Sequence, residues 1–286
     1  MELSDRRQIC RLLESDGFTF KKSLGQNFLV DPAVCPAMAD AACDGETGVL
    51  EIGPGAGVLT VQLAKRAKRV VAIELDERLQ PILAKTLAGY ENVSFVFGDA
   101  MKIDLAAVIR ENFADCRRVT VAANLPYYIT SPIVMQLLES RLPIESITVM
   151  VQKEAAERFC AAVGSRAAGA VTVAITYFAE SEVLFTVPRE SFYPQPKVDS
   201  AVIQLTVRAT PPIAVKNEKK FFALVKACFA QRRKTLLNTV SNTLGIPKDA
   251  LRAALQKQGL PETVRGEALT LEQLAALHNR LEETEE

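Results

Sequence analysis

Three short stretches of the 286-residue sequence carry side chains whose types and spacing could do chemistry together. In Glu51-Ile52-Gly53-Pro54-Gly55-Ala56-Gly57 an apolar run breaks into alternating glycines just before a helical pattern. Glycines at a strand-to-helix turn let a ligand approach the backbone with no Cβ in the way. The spacing is G-x-G-x-G, because position 58 is Val rather than the third glycine of a dinucleotide fingerprint. No G-K-[ST] follows to make a phosphate loop. Taken alone, the motif reads equally well as a plain tight turn.

Two acids extend the pattern. Glu74 ends the next apolar run, where its carboxylate can accept hydrogen bonds from two ribose hydroxyls. Asp99, in Gly98-Asp99-Ala100, ends the run after that and can accept from the exocyclic amine of an adenine. Either acid alone reads as a helix cap or a solvated loop residue. Both at successive strand ends beside a glycine turn point to an adenosine-containing ligand with no pyrophosphate requirement.

The third stretch is Asn124-Leu125-Pro126-Tyr127. Pro126 holds Leu125 extended and offers no N–H, which leaves the Leu125 carbonyl available as an acceptor. The Asn124 side-chain oxygen and that carbonyl make a pair of acceptors for one amino group, and Tyr127 can stack against a planar base. This is a clamp for an aromatic amine. The plainer reading, a strand-ending turn followed by core tyrosines, fits this motif when it is taken alone.

Elements of defined order must bring these stretches together. Runs at 49–53, 69–75, 93–99, 118–125 and 146–152 are short, apolar and β-branched, and helical patterns separate most of them. The alternation predicts an α/β, doubly wound, Rossmann-like sheet whose strands end at one edge, where such folds bind ligands. Two more runs, 182–187 and 201–207, are joined by a proline-rich link too short for a helical crossover, so the last two strands are expected antiparallel. After Thr210-Pro211-Pro212 the pattern is wholly helical, at 218–231, about 232–243, 247–258 and 270–281. The expected domains are therefore 1–210 and a small all-helical 211–286.

Composition removes other classes of chemistry. The only histidine is His278, which excludes a histidine triad or a multi-histidine metal site. Six cysteines form no C-x-x-C pair, so no metal site is expected and they read as reduced, mostly buried thiols. No apolar run is long enough to span a membrane and the first 25 residues lack a signal-peptide core, so a cytoplasmic protein is expected. Net charge is +0, yet Thr206 to Lys257 holds eleven Lys or Arg and two acids, while Gly259 to Glu286 holds seven Glu and two Arg. A basic segment in a neutral chain fits a polyanion contact, although charge runs are more often solvated faces.

The ordered set K-K-S-L-G-Q-N-F-L (21–29), E-I-G-P-G-A-G-V-L-T (51–60), I-E-L-D (73–76), G-D-A (98–100), N-L-P-Y-Y-I-T-S-P-I (124–133), V-Q-K-E-A-A-E-R (151–158), F-Y-P-Q-P-K-V-D-S (192–200) and F-A-Q-R-R-K-T-L-L-N (229–238) resembles the ribosomal RNA adenine dimethyltransferase family of the KsgA type. The resemblance implies a seven-stranded methyltransferase sheet, a helical C-terminal domain and S-adenosyl-L-methionine as methyl donor. It further implies two methyl groups on N6 of each of two adjacent adenosines near the 3′ end of small-subunit ribosomal RNA. The partners it implies are that RNA and the immature small subunit, with the protein a monomer.

Carried over by residue, Gln26, Asn27 and Leu29 resemble the cover on the cofactor's methionine end, and Gly53, Gly55 and Gly57 the cofactor loop. Glu74 resembles the ribose ligand and Asp99 the adenine ligand, with Leu75 and Ala100 also expected on the cofactor. Asn124 resembles a residue shared by the cofactor and target pockets, with Leu125, Pro126 and Tyr127 expected to complete the clamp. Phe192 resembles the second aromatic face of the base pocket. Arg232, Arg233 and Lys234 are expected to grip RNA phosphates, the alternative being that Arg232 or Arg233 satisfies helix C-terminal carbonyls. Two other readings remain: a resistance methyltransferase of large-subunit RNA, disfavoured because Ala56 is not the Lys expected there, and a non-catalytic assembly factor. Residues 1–20 have no assigned role.

Overall fold

The computed structural model describes Gln8 and residues 27–283. The chain forms two compact units. One contains the described residues up to Ala156 together with Ser181–Val207; the other contains Glu157–Glu180 and the residues from Arg208 onward.

The first unit is built on a seven-stranded sheet. Its strands are β2 (Thr47–Ile52), β3 (Arg69–Glu74), β4 (Val93–Phe97), β5 (Arg118–Asn124), β6 (Ser146–Gln152), β7 (Ala179–Val187) and β9 (Ser200–Val207). The spatial order is β4-β3-β2-β5-β6-β9-β7, and β2 to β6 run parallel. β9 enters antiparallel to β6 and has β7 as its other neighbour, the mixed end that the short proline-rich link predicts. The order reverses between β2 and β5, so the crevice beyond their carboxyl ends is where an open α/β sheet receives a ligand.

Burial accounts for the strand composition. Every residue of β2 is buried, as a central strand covered on both faces requires, and its apolar run is interrupted only by Glu51. The helices between strands are α1 (Val34–Ala42), α2 (Val58–Ala64), α3 (Gln80–Thr86), α4 (Leu105–Asn112) and α5 (Tyr127–Glu139), with α6 (Lys153–Phe159) after β6. Side-chain oxygens set some of their starts: Asp104 accepts from the Ala107 N–H at the head of α4.

One element of this unit has no sequence signal. β1 (Phe28–Leu29) pairs antiparallel with β8 (Phe192–Tyr193), Leu29 opposite Phe192. The Val30 N–H donates to the Ser191 carbonyl at 2.8 Å, and the Ser191 hydroxyl donates to Asp31 Oδ2 at 2.9 Å. This ribbon fixes the segment that begins at Asn27 against the one that carries Phe192.

The second unit is helical: α7 (Ala170–Phe178), α8 (Glu218–Phe229), α9 (Leu236–Leu244), α10 (Lys248–Gln256) and α11 (Leu271–Glu283). The expected division at 210 lies close to the crossing at Arg208, but residues 157–180, expected in the first domain, belong to this unit. The reason is aromatic packing: Tyr177 and Phe178 of α7 lie against Phe222 of α8, with ring centroids 5.2 and 5.4 Å apart. The Tyr177 hydroxyl also donates to Glu218 at 3.0 Å. His278 is buried in the same unit, where Nε2 accepts the Asn217 N–H at 3.3 Å.

Candidate active site

The carboxyl ends of β2, β3, β4 and β5 open into a cleft lined by Asn27, Leu29, Gly53, Gly55, Glu74, Leu75, Asp99, Ala100, Asn124, Leu125, Pro126, Tyr127 and Phe192. The structure thus brings together all but two of the sequence-predicted cofactor and target-pocket residues. Gln26 lies outside the described residues. Gly57 does not line the cleft. Its φ of 85° and the 2.9 Å approach of an added Cβ to Thr86 Cγ2 make it the residue that lets α2 pack on α3. Gly53 and Gly55, with φ of 71° and 59°, line the cleft at the turn between β2 and α2.

Glu74 organises that loop. One carboxylate oxygen accepts the Gly55 N–H at 3.0 Å and the other the Asp76 N–H at 2.8 Å. The group is buried, and burial raises its pKa against the pull of these N–H donors. Asp99 is bound more loosely: Oδ1 accepts the Met101 N–H at 3.0 Å, and Oδ2 lies 3.5 Å from the well-exposed Lys102.

Glu51 opens the glycine motif, and its spacing alone gives it no role. It is 1% exposed, and Oε2 has no hydrogen-bond partner among the described residues. The Thr60 hydroxyl faces the carboxyl without closing a well-formed hydrogen bond. Burial raises the Glu51 pKa to about 8, and the nearby Glu74 charge adds to the effect. A charged residue inside an otherwise apolar central strand was the signal that could have singled it out. Beside it, Cys35 is 2% exposed and burial lifts its thiol to about 12, so it is a neutral wall rather than a nucleophile.

Asn124 ends β5 opposite Met150 of β6, and its carboxamide forms no hydrogen bond among the described residues. The next turn withholds a second acceptor. The Ile129 N–H and the Thr130 hydroxyl both go to the Pro126 carbonyl, at 3.1 Å each, and the Leu125 carbonyl accepts nothing among the described residues. Tyr127, the first residue of α5, is anchored through its hydroxyl to Ser200 Oγ at 2.8 Å. Burial raises its pKa, so the ring is a neutral phenol. Ser200, the last residue of the 192–200 motif, is thus a support for the ring that its sequence position alone does not reveal. Phe192, 4% exposed on β8, supplies the other aromatic wall.

The geometry holds two hydrogen-bond acceptors free beside aromatic walls, next to a glycine-lined recess with an unpartnered buried carboxyl oxygen. Such a recess fits a ligand that brings positive charge and needs close backbone approach. Among the described residues no three His, Cys, Asp or Glu are grouped to hold a metal ion.

The basic turn is in the second unit. Arg232 donates to the carbonyls of Arg166 and Ala168 at 2.8 and 3.5 Å and lies 3.8 Å from Glu267. It ties down the loop before α7 rather than the end of its own helix. Arg233 and Lys234 are exposed, and their side chains form no hydrogen bond or ion pair among the described residues.

The strand order, the antiparallel β9 and the glycine-loop cleft together define a methyltransferase-type α/β fold with an appended helical unit. The chain belongs to the ribosomal RNA adenine dimethylase family, whose model matches residues 17–283. It is 52% identical over 274 residues to ribosomal RNA small subunit methyltransferase A of Geobacillus thermodenitrificans, covering 94% of both chains. The protein of the same name from Bacillus pumilus is 50% identical over 275 residues, 95% of this chain and 94% of that one. Among solved structures, a dimethyladenosine transferase from Plasmodium falciparum matches with TM-score 0.72 and 29% identity, over 87% of this chain and 95% of its own. The 23S rRNA methyltransferase ErmE matches with TM-score 0.66 and 30% identity, over 89% of this chain and 99% of its own.

Proposed function

We propose that the protein dimethylates N6 of two adjacent adenosines near the 3′ end of small-subunit ribosomal RNA, using S-adenosyl-L-methionine, during assembly of that subunit. The observation that supports the reading is the pair of acceptors unused among the described residues, Asn124 Oδ1 and the Leu125 carbonyl, in a cleft that Tyr127 and Phe192 also line. The small-subunit substrate is favoured by the 52% identity to a small-subunit enzyme, against 30% to the large-subunit enzyme. The same reading makes the immature subunit the partner, the cytoplasm the compartment and the monomer the working form.

When bound, S-adenosyl-L-methionine supplies a methyl group already activated by its sulfonium. Glu74 and Asp99 suit its ribose and adenine, Gly53 and Gly55 admit it against the backbone, and the unpartnered oxygen of Glu51 suits its positive charge. Asn27 and Leu29, which line the same cleft, would cover its amino-acid end, and Leu75 and Ala100 would hold it beside Glu74 and Asp99.

Adenine N6 is a weak nucleophile because its lone pair is delocalised into the ring. Two acceptors that hold both N–H bonds favour a pyramidal nitrogen whose lone pair faces the methyl donor. They also lie where positive charge develops on N6 as the methyl transfers. Tyr127, fixed by Ser200, and Phe192 hold the base that has left its stack. Arg233 and Lys234 meet RNA phosphates, whereas Arg232 supports the turn that presents them. The test is to incubate the protein with methyl-labelled S-adenosyl-L-methionine and either immature small subunits or large-subunit RNA. Label in the small-subunit RNA supports the reading; label confined to large-subunit RNA, or cofactor binding without transfer, overturns it.

A further inference from the structure

Tyr128 has no place in the scheme above, yet it stands at the mouth of the same cleft. It is 60% exposed and forms no hydrogen bond or ring contact among the described residues. An exposed, unpartnered aromatic ring on a substrate cleft needs an explanation that an isolated surface residue does not.

Its position in α5 explains where the ring stands. Tyr127 and Tyr128 are the first two residues of the helix, and successive side chains diverge by about 100° at 3.6 residues per turn. Tyr127 turns inward, half-buried, with its hydroxyl on Ser200. The ring of Tyr128 is thereby left at the rim. Another exposed apolar side chain on that rim, Leu75, follows Glu74 and belongs with the cofactor end of the cleft. Tyr128 follows the target clamp and belongs with the RNA.

A base that enters the clamp leaves its stack, and the nucleotide next to it loses one stacking face. That nucleotide is tethered one phosphodiester away, as Tyr128 is one residue away from Tyr127. Base stacking on an exposed aromatic ring is sequence-tolerant and is a common means of holding single-stranded RNA. We propose that Tyr128 is a positioning residue on which the base adjoining the target adenosine stacks, so that the strand is held while the target is in the clamp. The inference rests on the RNA adenine reading of the site. A stacked neighbour also remains on the enzyme between successive transfers, which suits a substrate with two adjacent targets.

The test uses the full chain and a short RNA with the target adenosine followed by 2-aminopurine, whose fluorescence is quenched by stacking. With wild-type protein and with Tyr128→Phe the probe should stay quenched on binding. With Tyr128→Ala it should brighten several-fold, and KM for the RNA should rise about tenfold while kcat stays within about threefold. Affinity for S-adenosyl-L-methionine should be the same in all three proteins. Equal quenching and equal KM in Tyr128→Ala, with methylation intact, would overturn the inference and leave the function standing. Loss of cofactor affinity in Tyr128→Ala would overturn it by assigning the ring to the cofactor. Wild-type protein that binds cofactor but methylates neither this RNA nor immature subunits would overturn both.

Discussion

Glu51 and Glu74 stand on neighbouring strands in one cleft, and their surroundings give them different work. Glu74 has its carboxylate satisfied by the N–H groups of Gly55 and Asp76, so its loss should be felt by the loop and by the cofactor. Glu74→Ala is expected to weaken S-adenosyl-L-methionine binding by about 1.5–3 kcal/mol, measured by calorimetry, and unchanged affinity would remove it from the site. Glu51 Oε2 has no such partner among the described residues, and the raised Glu51 pKa becomes a statement about stability. Below about pH 4.5 the carboxyl is protonated both folded and unfolded. From there up to about 8 the folded protein keeps a proton that the unfolded chain has released, so its stabilising share falls as pH rises through this window. Ligand-free protein should therefore melt at lower temperature towards pH 8. Glu51→Gln should flatten the trend without abolishing it, because Glu74 is shifted in the same direction. An identical slope in the variant would show that other groups carry it. At the clamp, Asn124→Ala should lower kcat about 100-fold or more and change RNA affinity little, since the lost acceptor acts on charge that develops during transfer. Equal losses in turnover and RNA affinity would contradict this. Glu74, Asp99 and Asn124 are legible as cleft residues because each stands at the end of an apolar run, and parallel strands place such ends side by side. The isolation of Glu51 was not legible, because the partners that a buried carboxyl lacks are visible only in three dimensions.

The elements that escaped the sequence reading did so for identifiable reasons. β1 and β8 are two residues each and lie more than 160 positions apart, so neither has a periodicity and only the folded sheet brings Leu29 to Phe192. α7 reads Ala-Val-Thr-Val-Ala-Ile-Thr-Tyr-Phe, β-branched and buried over most of its surface, so it lacks the polar stripe that marks a surface helix. The five parallel strands, by contrast, appear within a few residues of their expected spans, because buried apolar runs bounded by turns are a strong signal. In the basic turn after α8, where the sequence leaves Arg232 or Arg233 open to a helix-capping role, Arg232 instead bonds the loop before α7, whereas Arg233 and Lys234 are exposed. Arg232→Ala should lower the melting temperature through loss of its bonds to the 166–168 loop. Arg233→Ala with Lys234→Ala should leave melting unchanged and flatten the salt dependence of RNA binding by about 1.4–1.8 log units per log unit of salt. If the Arg233 and Lys234 double variant keeps the full slope, RNA phosphates are held elsewhere.

For the whole molecule, zero net charge conceals the functional asymmetry, since eleven cations against two acids fall between Thr206 and Lys257. Local concentration of charge, not its total, fits the chain to a polyanion. No helix among the described residues is long and apolar enough to cross a membrane. Membership of the ribosomal RNA adenine dimethylase family gives the substrate class, and the finer statement concerns which atom is modified and how often. The most direct measurement is mass spectrometry of nucleosides and RNA fragments from immature small subunits treated with the protein and S-adenosyl-L-methionine. The account predicts N6,N6-dimethyladenosine at two adjacent positions near the 3′ end, lost in Asn124→Ala. Methyl groups on another atom of adenine, or on another base, would contradict it.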